Sequence, residues 1–464
     1  MLNKFFPYKL HLQILQQDEY SSAKLLQWIA AHFFTRTIEN KKPLIWTQKA
    51  KMIYYLSLLF TFLSIILLTS LYNLFGFVFG IVLATQSYIF LLIASLLLSP
   101  LENYQKNKIK KRTEEKLRSF KKLKIIGITG SYGKTSVKEF LYQILKTEHT
   151  VLKTPESYNT PLGIAKVVDL ELDDSYEYFI CEMGAYRVGD IKEICDMVHP
   201  KYGILTGINE QHLETFGSLE NTTKGKFELI DALPKGGFGL VNAGNQRIRE
   251  EYKRHTNTQL STYEAEKKFD FNYDGMHFNL FLNDGSHRAK TNLLGYANLE
   301  NITAAAAMAN HLGMKPQAII EAIANLTPVP HRVEFKPQEN MIIIDDAYNS
   351  NYDGFKNAVE VLTMFDSDNF KRTRILVTPG IVDLGKETFK MHKKLAEEIS
   401  KGIAILNYII LVGKSERTNG LKEGIADKKK IIEVDSLKDA WKEIEKLNVE
   451  HPIILLENDL PDNY

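Results

Sequence analysis

Hydrophobic and polar positions are unevenly spread along this chain, and the unevenness divides it. Residues 52–101 contain no Asp, Glu, Lys or Arg. One membrane span needs roughly 20 apolar residues, so this length suits two. Leu71-Tyr72-Asn73-Leu74 with Gly76 supplies the turn-like break between them, and the pattern predicts a transmembrane helical hairpin. Before it, residues 21–35 place apolar side chains at helical spacing, as in an amphipathic helix lying near a membrane. After it, short apolar runs alternate with helical periodicity, the signature of an α/β protein.

The sharpest local signal lies in residues 124–139, KIIGITGSYGKTSVKE. An apolar strand, a turn bearing Gly130 and Gly133, then Lys134-Thr135 opening a helix is how a chain wraps backbone N–H groups around a polyphosphate. The lysine adds a point charge, and the hydroxyl after it can hold magnesium. Ile128 stands where the longer G-x-x-x-x-G-K-[ST] spacing would have its first glycine, leaving the shorter T-G-x-x-G-K-T-S form.

Further along, Asp274-Gly275 and Asp284-Gly285 punctuate alternating apolar residues, a hairpin signature. Thr327-Pro328-Val329-Pro330 reads as a linker. Strands at 341–344, 374–377, 408–412, 431–434 and 452–456, with helical stretches between, predict a second, Rossmann-like doubly wound parallel sheet. The expected organisation is an amino-terminal segment (1–51), the hairpin (52–101), a basic linker (102–123), a central phosphate-loop domain (124–326) and a carboxyl-terminal α/β domain (327–464).

Charge refines this picture. Lys41, Lys42, Lys49 and Lys51 precede the hairpin; Lys106, Lys108, Lys110, Lys111 and Arg112 follow it. Basic flanks face the cytoplasm, so the expectation is a two-pass membrane protein with its amino terminus and its α/β body on the cytoplasmic side, where ATP is. A net charge of +2 offers no nucleic-acid footprint. Two cysteines, Cys181 and Cys195, build no disulfide framework and read as small buried residues of a reducing compartment.

Polar residues gather at the strand ends. Glu182 follows an apolar strand beside glycines, placed to bind a phosphate-bound metal or else an ordinary surface carboxylate. His212, after the next strand, reads by itself as structural more readily than as a ligand. Lys226, opening a helix, reads by itself as solvated.

Taken in order, TGSYGKTS, SYNTPLG, EMGAYRVGDI, QHLETFGS, KFEL, NLENITAAAA, HRVEF and DDAYNSN resemble the Mur ligase family over residues 120–400, with a weaker tail. The resemblance is strongest to the branch that joins D-alanyl-D-alanine to a muramoyl-tripeptide in cell-wall synthesis. It implies a P-loop central Mur ligase domain and ATP with two magnesium positions. Gly130, Ser131, Tyr132, Gly133, Lys134, Thr135 and Ser136 would hold the phosphates, with Thr135 and Glu182 on magnesium and His212 at the second metal. Lys226 matches a lysine that the family often carbamylates into a metal ligand; Lys224, two residues away, would take that role in another register. Asn298 and Asn301 match the adenine contacts, Arg332 and Asp346 reach the nucleotide from the third domain, and Asn159 and Thr160 meet the acceptor. Lys134, Lys226 and His212 would be the catalytic set. The implied partners are a nucleotide, peptide-like substrates and a membrane, with no nucleic acid.

Departures accompany the resemblance. Ala297 replaces a histidine, Gly207 and Asn209 exchange an Asn and a Gly, His331 replaces a glycine, and Tyr352 and Gly354 replace a Pro and a Ser. The chain ends LLENDLPDNY where the family carries a K-G-S-R-type run. The hairpin stands where the family's uridine-diphosphate-binding domain normally is. A Mur-type amino-acid ligase acting on a capsule polymer such as poly-γ-glutamate, or on a lipid-linked acceptor, is the alternative.

Overall fold

The apolar stretch folds back on itself at Asn73. The computed structural model describes residues 5–17, 20–31, 43–155, 158–209, 213–256, 258–272, 275–348, 351–366, 372–382, 384–402 and 406–458. One helix is assigned over Gln48–Ala84 and another over Ser87–Ser119. Asn73 leaves the helical region at φ 53° and ψ −136°. Beyond it the chain returns antiparallel, because a Cβ on Gly80 would lie 3.1 Å from the Cα of Ile65. Those residues would be about 22 Å apart in an unbroken helix. Gly76 and Gly80 let the two arms touch, the small-residue packing common between membrane helices. At the open end Lys49 Nζ pairs with Glu102 Oε2 at 2.8 Å, so both arms start from one level. The arm from Gln48 to Asn73 is about 37 Å long, against roughly 30 Å of hydrocarbon in a bilayer. Both helices are long and apolar enough to cross a membrane. Two shorter helices, Tyr8–Gln17 and Ser22–Ala31, precede them. Tyr8 Oη and Thr61 Oγ1 are 2.5 Å apart, and His11 Nδ1 is 2.9 Å from Ser87 Oγ.

The compact unit from Lys110 onward holds the α/β body. Leu117, near the end of the helix Ser87–Ser119, is buried in its core with Ile164 and Cys195. Strands β1 (Lys124–Thr129), β2 (Val151–Lys153), β3 (Tyr178–Glu182), β4 (Tyr202–Leu205), β5 (Phe238–Asn242) and β6 (Gln259–Tyr263) form a parallel sheet ordered β2-β3-β1-β4-β5-β6. Burial on both faces explains why β1 and β3 read as apolar runs rather than alternations. The register sets Ile128 beside Glu182 and Thr129 beside Leu205. The turns after β1, β3 and β4 therefore meet at the carboxyl edge of the sheet, where α/β proteins place ligands.

A meander of β7 (Phe269–Asn272), β8 (Gly275–Leu282) and β9 (Gly285–Thr291) follows. Gly275 and Gly285 take φ of 118° and 135° at its turns; Asp274 lies outside the described residues. Met276, Phe278 and Leu280 share a core cluster with Ile302 and Ala305 of the helix Tyr296–His311. The linker is pinned rather than loose: the Gln143 side chain accepts from Thr327 N–H at 2.9 Å and donates to Thr327 O at 3.3 Å.

The second sheet contains β10 (Glu334–Pro337), β11 (Ile342–Asp346), β12 (Arg374–Thr378), β13 (Tyr408–Val412), β14 (Ile431–Val434) and β15 (Ile453–Glu457), ordered β10-β11-β15-β12-β13-β14. All five expected strands are present and parallel. The HRVEF run adds β10 as an antiparallel edge, pairing Glu334 with Asp345. No apolar alternation announces this strand, because its residues are only half-buried.

Candidate active site

The turn after β1 is built by two glycines that no other residue could replace without movement. Gly130 has φ 155°, and a Cβ there would lie 2.1 Å from Thr206 Oγ1; Gly133 has φ 78°, and a Cβ there would lie 2.6 Å from Asn301 Oδ1. Ser131 is buried, its N–H donating to Gly207 O at 2.7 Å and its Oγ accepting from Asn209 N–H at 3.3 Å. Lys134 opens the helix Lys134–Leu145 and curls back over the loop, donating to Gly130 O at 2.8 Å and Ser131 O at 3.3 Å. Burial pulls its ammonium down to about 8; Glu182 pulls the other way and Arg332 adds to the depression.

Glu182 ends β3 at 2 % exposure. Its Oε1 accepts from Asn159 Nδ2 at 3.2 Å, and its Oε2 lies 3.3 Å from Lys138 Nζ. Lys138 is completely buried, and the sequence reading missed it. The signal was available: Lys138 is one turn after Lys134, so both share the helix face directed at β3. Glu182 Oε2 accepts no hydrogen bond among the described residues. A buried carboxylate oxygen of that kind, beside the strand that leads into the phosphate loop, fits a magnesium ion as ligand.

Lys226 is buried at 2 % exposure, whereas Lys224 is exposed. The Lys226 Nζ lies 3.5 Å from Ala185 O and 5.5 Å from the centre of the Phe216 ring. Burial, reinforced by the Lys134 charge, holds its pKa far below the usual lysine range. Thr160 is exposed and caps the helix Pro161–Glu171, its Oγ1 accepting from Gly163 N–H. His212 lies outside the described residues.

The third domain reaches the loop through Arg332, whose Nη2 is 3.4 Å from Thr135 Oγ1 and whose guanidinium sits 4.7 Å from the Tyr348 ring centre. Its neighbours are strained: His331 has φ 58° and Val333 φ 50°, a region costly for a β-branched residue. The strain is held by bonds. His331 Nδ1 is 2.9 Å from Asp345 Oδ2, and Val333 N–H donates to Asp346 Oδ1 at 3.1 Å. Asp346 is pushed up to about 6 by burial, opposed by a bond to Glu457 and by Arg332. His331, Glu334 and Asp345 are close enough to hold a metal, but Lys336 Nζ occupies that role at 2.6 Å from Asp345 and 3.0 Å from Glu334. Asn301 abuts the phosphate loop, and Asn298, one turn earlier, donates to Leu294 O at 2.8 Å.

Comparison with known proteins decides what carries this geometry. The profile of the Mur ligase middle domain matches residues 128–309, and that of the Mur ligase, glutamate ligase domain matches residues 331–456. The UDP-N-acetylmuramoyl-tripeptide–D-alanyl-D-alanine ligase of Escherichia coli K12 is 30% identical over 323 residues, covering 67% of this chain and 70% of that one. The chain belongs to the Mur ligase family. The ligase of the same name from Bacillus subtilis 168 is 28% identical over 283 residues, 60% of each chain. Among solved structures, MurF from Acinetobacter baumannii superposes with TM-score 0.68 at 23% identity, covering 76% of this chain and 78% of that one. MurF ligase from Thermotoga maritima in complex with ADP gives 0.67 at 24%, covering 76% and 80%. As a Mur ligase, the protein is an ATP-dependent ligase with a central and a carboxyl-terminal α/β domain.

Two departures from the Mur pattern have structural explanations. A Cβ on Gly207 would lie 2.2 Å from the Tyr132 ring, so the glycine makes room for the tyrosine. Tyr132 Oη accepts from Asn245 Nδ2 at 3.1 Å, and its phenol is held above the usual range by burial. His331 adopts the positive φ that suits the glycine it replaces, and Asp345 holds it there.

Gly207→Asn alone is expected to abolish nucleotide binding or folding, while Gly207→Asn with Tyr132→Ser restores most of it; a double variant as defective as the single would show that the two positions are independent. Lys138→Met leaves Glu182 buried without its cation, an expected loss of about 3–5 kcal/mol, partly recovered by millimolar Mg2+ in thermal melts. An unchanged melting temperature would remove Lys138 from the site. The ammonium of Lys134 titrates near 8 in the folded chain against about 10.4 unfolded. The unfolded chain then binds more protons in that window, so nucleotide-free stability rises with pH there relative to Lys134→Met. ADP affinity, which needs the ammonium, stays flat below pH 8 and falls above it; a flat calorimetric profile to pH 9.5 would contradict this.

Proposed function

We propose that this chain is a membrane-anchored Mur ligase that joins D-alanyl-D-alanine, or a related amine, to a muramoyl-peptide acceptor for cell-wall synthesis. The observation that carries the reading is the phosphate loop with Lys134, set beside the buried Glu182 in a chain 30% identical to a ligase of that name. A carboxylate oxygen of the acceptor attacks the γ-phosphorus of ATP, the bond to the β-phosphate oxygen breaks, and ADP leaves. The incoming amine then attacks the activated carbonyl carbon, loses a proton, and expels inorganic phosphate to leave an amide.

The residues serve charge and position, as in other phosphoryl transfers. The loop from Gly130 to Ser136 cradles the phosphates and Lys134 neutralises their oxygens. Thr135 and Glu182 would hold magnesium, which when bound offsets the developing charge. Asn159, bonded to Glu182, orients that ligand toward the acceptor side, with Thr160 beside it. Asn298 and Asn301 face the nucleotide, and Arg332 and Asp346 close on it from the third domain. Lys226 suits carbamylation because burial favours its neutral amine, the form that adds carbon dioxide; the carbamate would be a ligand for a second metal, with His212 as the other candidate. In the hairpin, the Lys49–Glu102 pair supports a two-pass anchor with both flanks on the cytoplasmic side.

One observation favours a second reading, that of a Mur-type amino-acid ligase with a different incoming amine, acting on a capsule polymer or a lipid-linked acceptor. Where the family carries a basic run, this chain has Glu457 buried beside Asp346 and Asn458 at φ 59°. The full chain in detergent, supplied with ATP, Mg2+ and bicarbonate, is expected to release phosphate with UDP-muramoyl-tripeptide plus D-alanyl-D-alanine. Release only with a lipid-linked acceptor or another amine selects the second reading, and none with any pair rejects both. Lys226→Ala should lose at least a hundredfold in kcat and regain part of it with added short carboxylates, while Lys224→Ala keeps full activity.

A further inference from the structure

We propose that the open end of the hairpin is a docking surface for the headgroups of anionic phospholipids. The proposal rests on the reading of the hairpin as membrane-spanning. Within the described residues up to Ile109, Glu102 is the only acidic side chain, and Lys49 consumes its charge at 2.8 Å. That pair also fixes the ends of both arms at one level, with Lys51 a short step further into the hairpin than Lys49, and Lys106 and Lys108 beyond Glu102 on its outer side. Lys51, Lys106 and Lys108 are exposed; Lys106 lies about 6 Å beyond Glu102 along the helix. Lys9 joins them, its Nζ 6.0 Å from the Trp46 ring centre.

Aromatic residues mark the same level. Trp46 is 40% exposed and Tyr104 67% exposed, positions awkward in water but favourable at a membrane interface, where such rings form belts. Exposed lysines with aromatic neighbours at the end of an apolar hairpin, where the one acid among the described residues is already paired, complement a negatively charged headgroup layer. A surface of solvated lysines alone would carry interspersed acids and no exposed tryptophan.

The full chain, reconstituted in phosphatidylcholine vesicles, is probed with spin-labelled phosphatidylglycerol and spin-labelled phosphatidylcholine, whose immobilised fractions report association with the protein. Phosphatidylglycerol is expected to associate about fivefold more strongly at low salt, with the preference disappearing in 1 M NaCl and in Lys51→Gln/Lys106→Gln/Lys108→Gln. The arginine triple variant should retain it, and ten millimolar inorganic phosphate should not displace the lipid. Equal association of the two lipids in the wild type, or an undiminished preference in the glutamine triple, overturns the proposal while leaving the anchor intact. Failure of the chain to float with vesicles of either composition overturns the anchor and the collar together.

Discussion

The candidate site depends on one buried carboxylate among an excess of buried positive charge. Glu182 is paired with Lys138, and Lys134, Lys226 and Arg332 bring further cations toward the same edge of the sheet. Water is excluded from most of these groups, so their mutual repulsion is not screened. Burial is the main reason that Lys134 and Lys226 sit below the ordinary lysine range, with repulsion from Arg332 and from Lys134 respectively adding to it. On the proposed function, a polyphosphate with its metal would supply the missing negative charge at this edge of the sheet. Lys138 holds Glu182 in place until then, and a fully buried pair of this kind is costly to break from either side.

Much of this was legible in the sequence because the signals are local. The phosphate loop, the hairpin turn near Asn73, the meander turns at Gly275 and Gly285 and the five parallel strands of the second sheet each follow from short runs whose chemistry permits one conformation. What escaped was set by partners distant in sequence. Lys138 carries meaning only once β3 brings Glu182 to it. The choice between Lys224 and Lys226 needed the helix phase relative to the sheet, which two residues of a motif do not fix. The strand β10 has no apolar alternation, and its pairing is dictated by the strained turn at His331 and Val333.

The departures from the Mur pattern also look different in three dimensions. Read along the chain, Gly207 is a departure after β4 with no visible link to Tyr132 in the phosphate loop. In the fold they are a single compensation, a large ring seated where a Cβ would otherwise be. His331 is similar: the backbone keeps the left-handed turn, and the imidazole gains a bond to Asp345 in exchange for the strain. These changes preserve the shape of the nucleotide side rather than erode it.

The carboxyl end resists that explanation, and its chemistry is narrower than its composition suggests. Of the carboxylates that replace a basic run, Asp459 and Asp462 fall outside the described residues, which leaves Glu457. It is buried next to Asp346 in the parallel register of β11 and β15, and two carboxylates so placed cannot both ionise freely. Burial pushes Asp346 up to about 6, and its bond to Glu457 opposes that rise. The exchange therefore does not turn a strongly positive patch into a strongly negative one. It creates a pair able to share a proton beside Arg332, a site that would tolerate a neutral or cationic group better than the anionic one a basic run is suited to hold. Arg332 links that pair to the other domain, since its Nη2 lies 3.4 Å from Thr135 Oγ1 and its charge adds to the depression of Lys134.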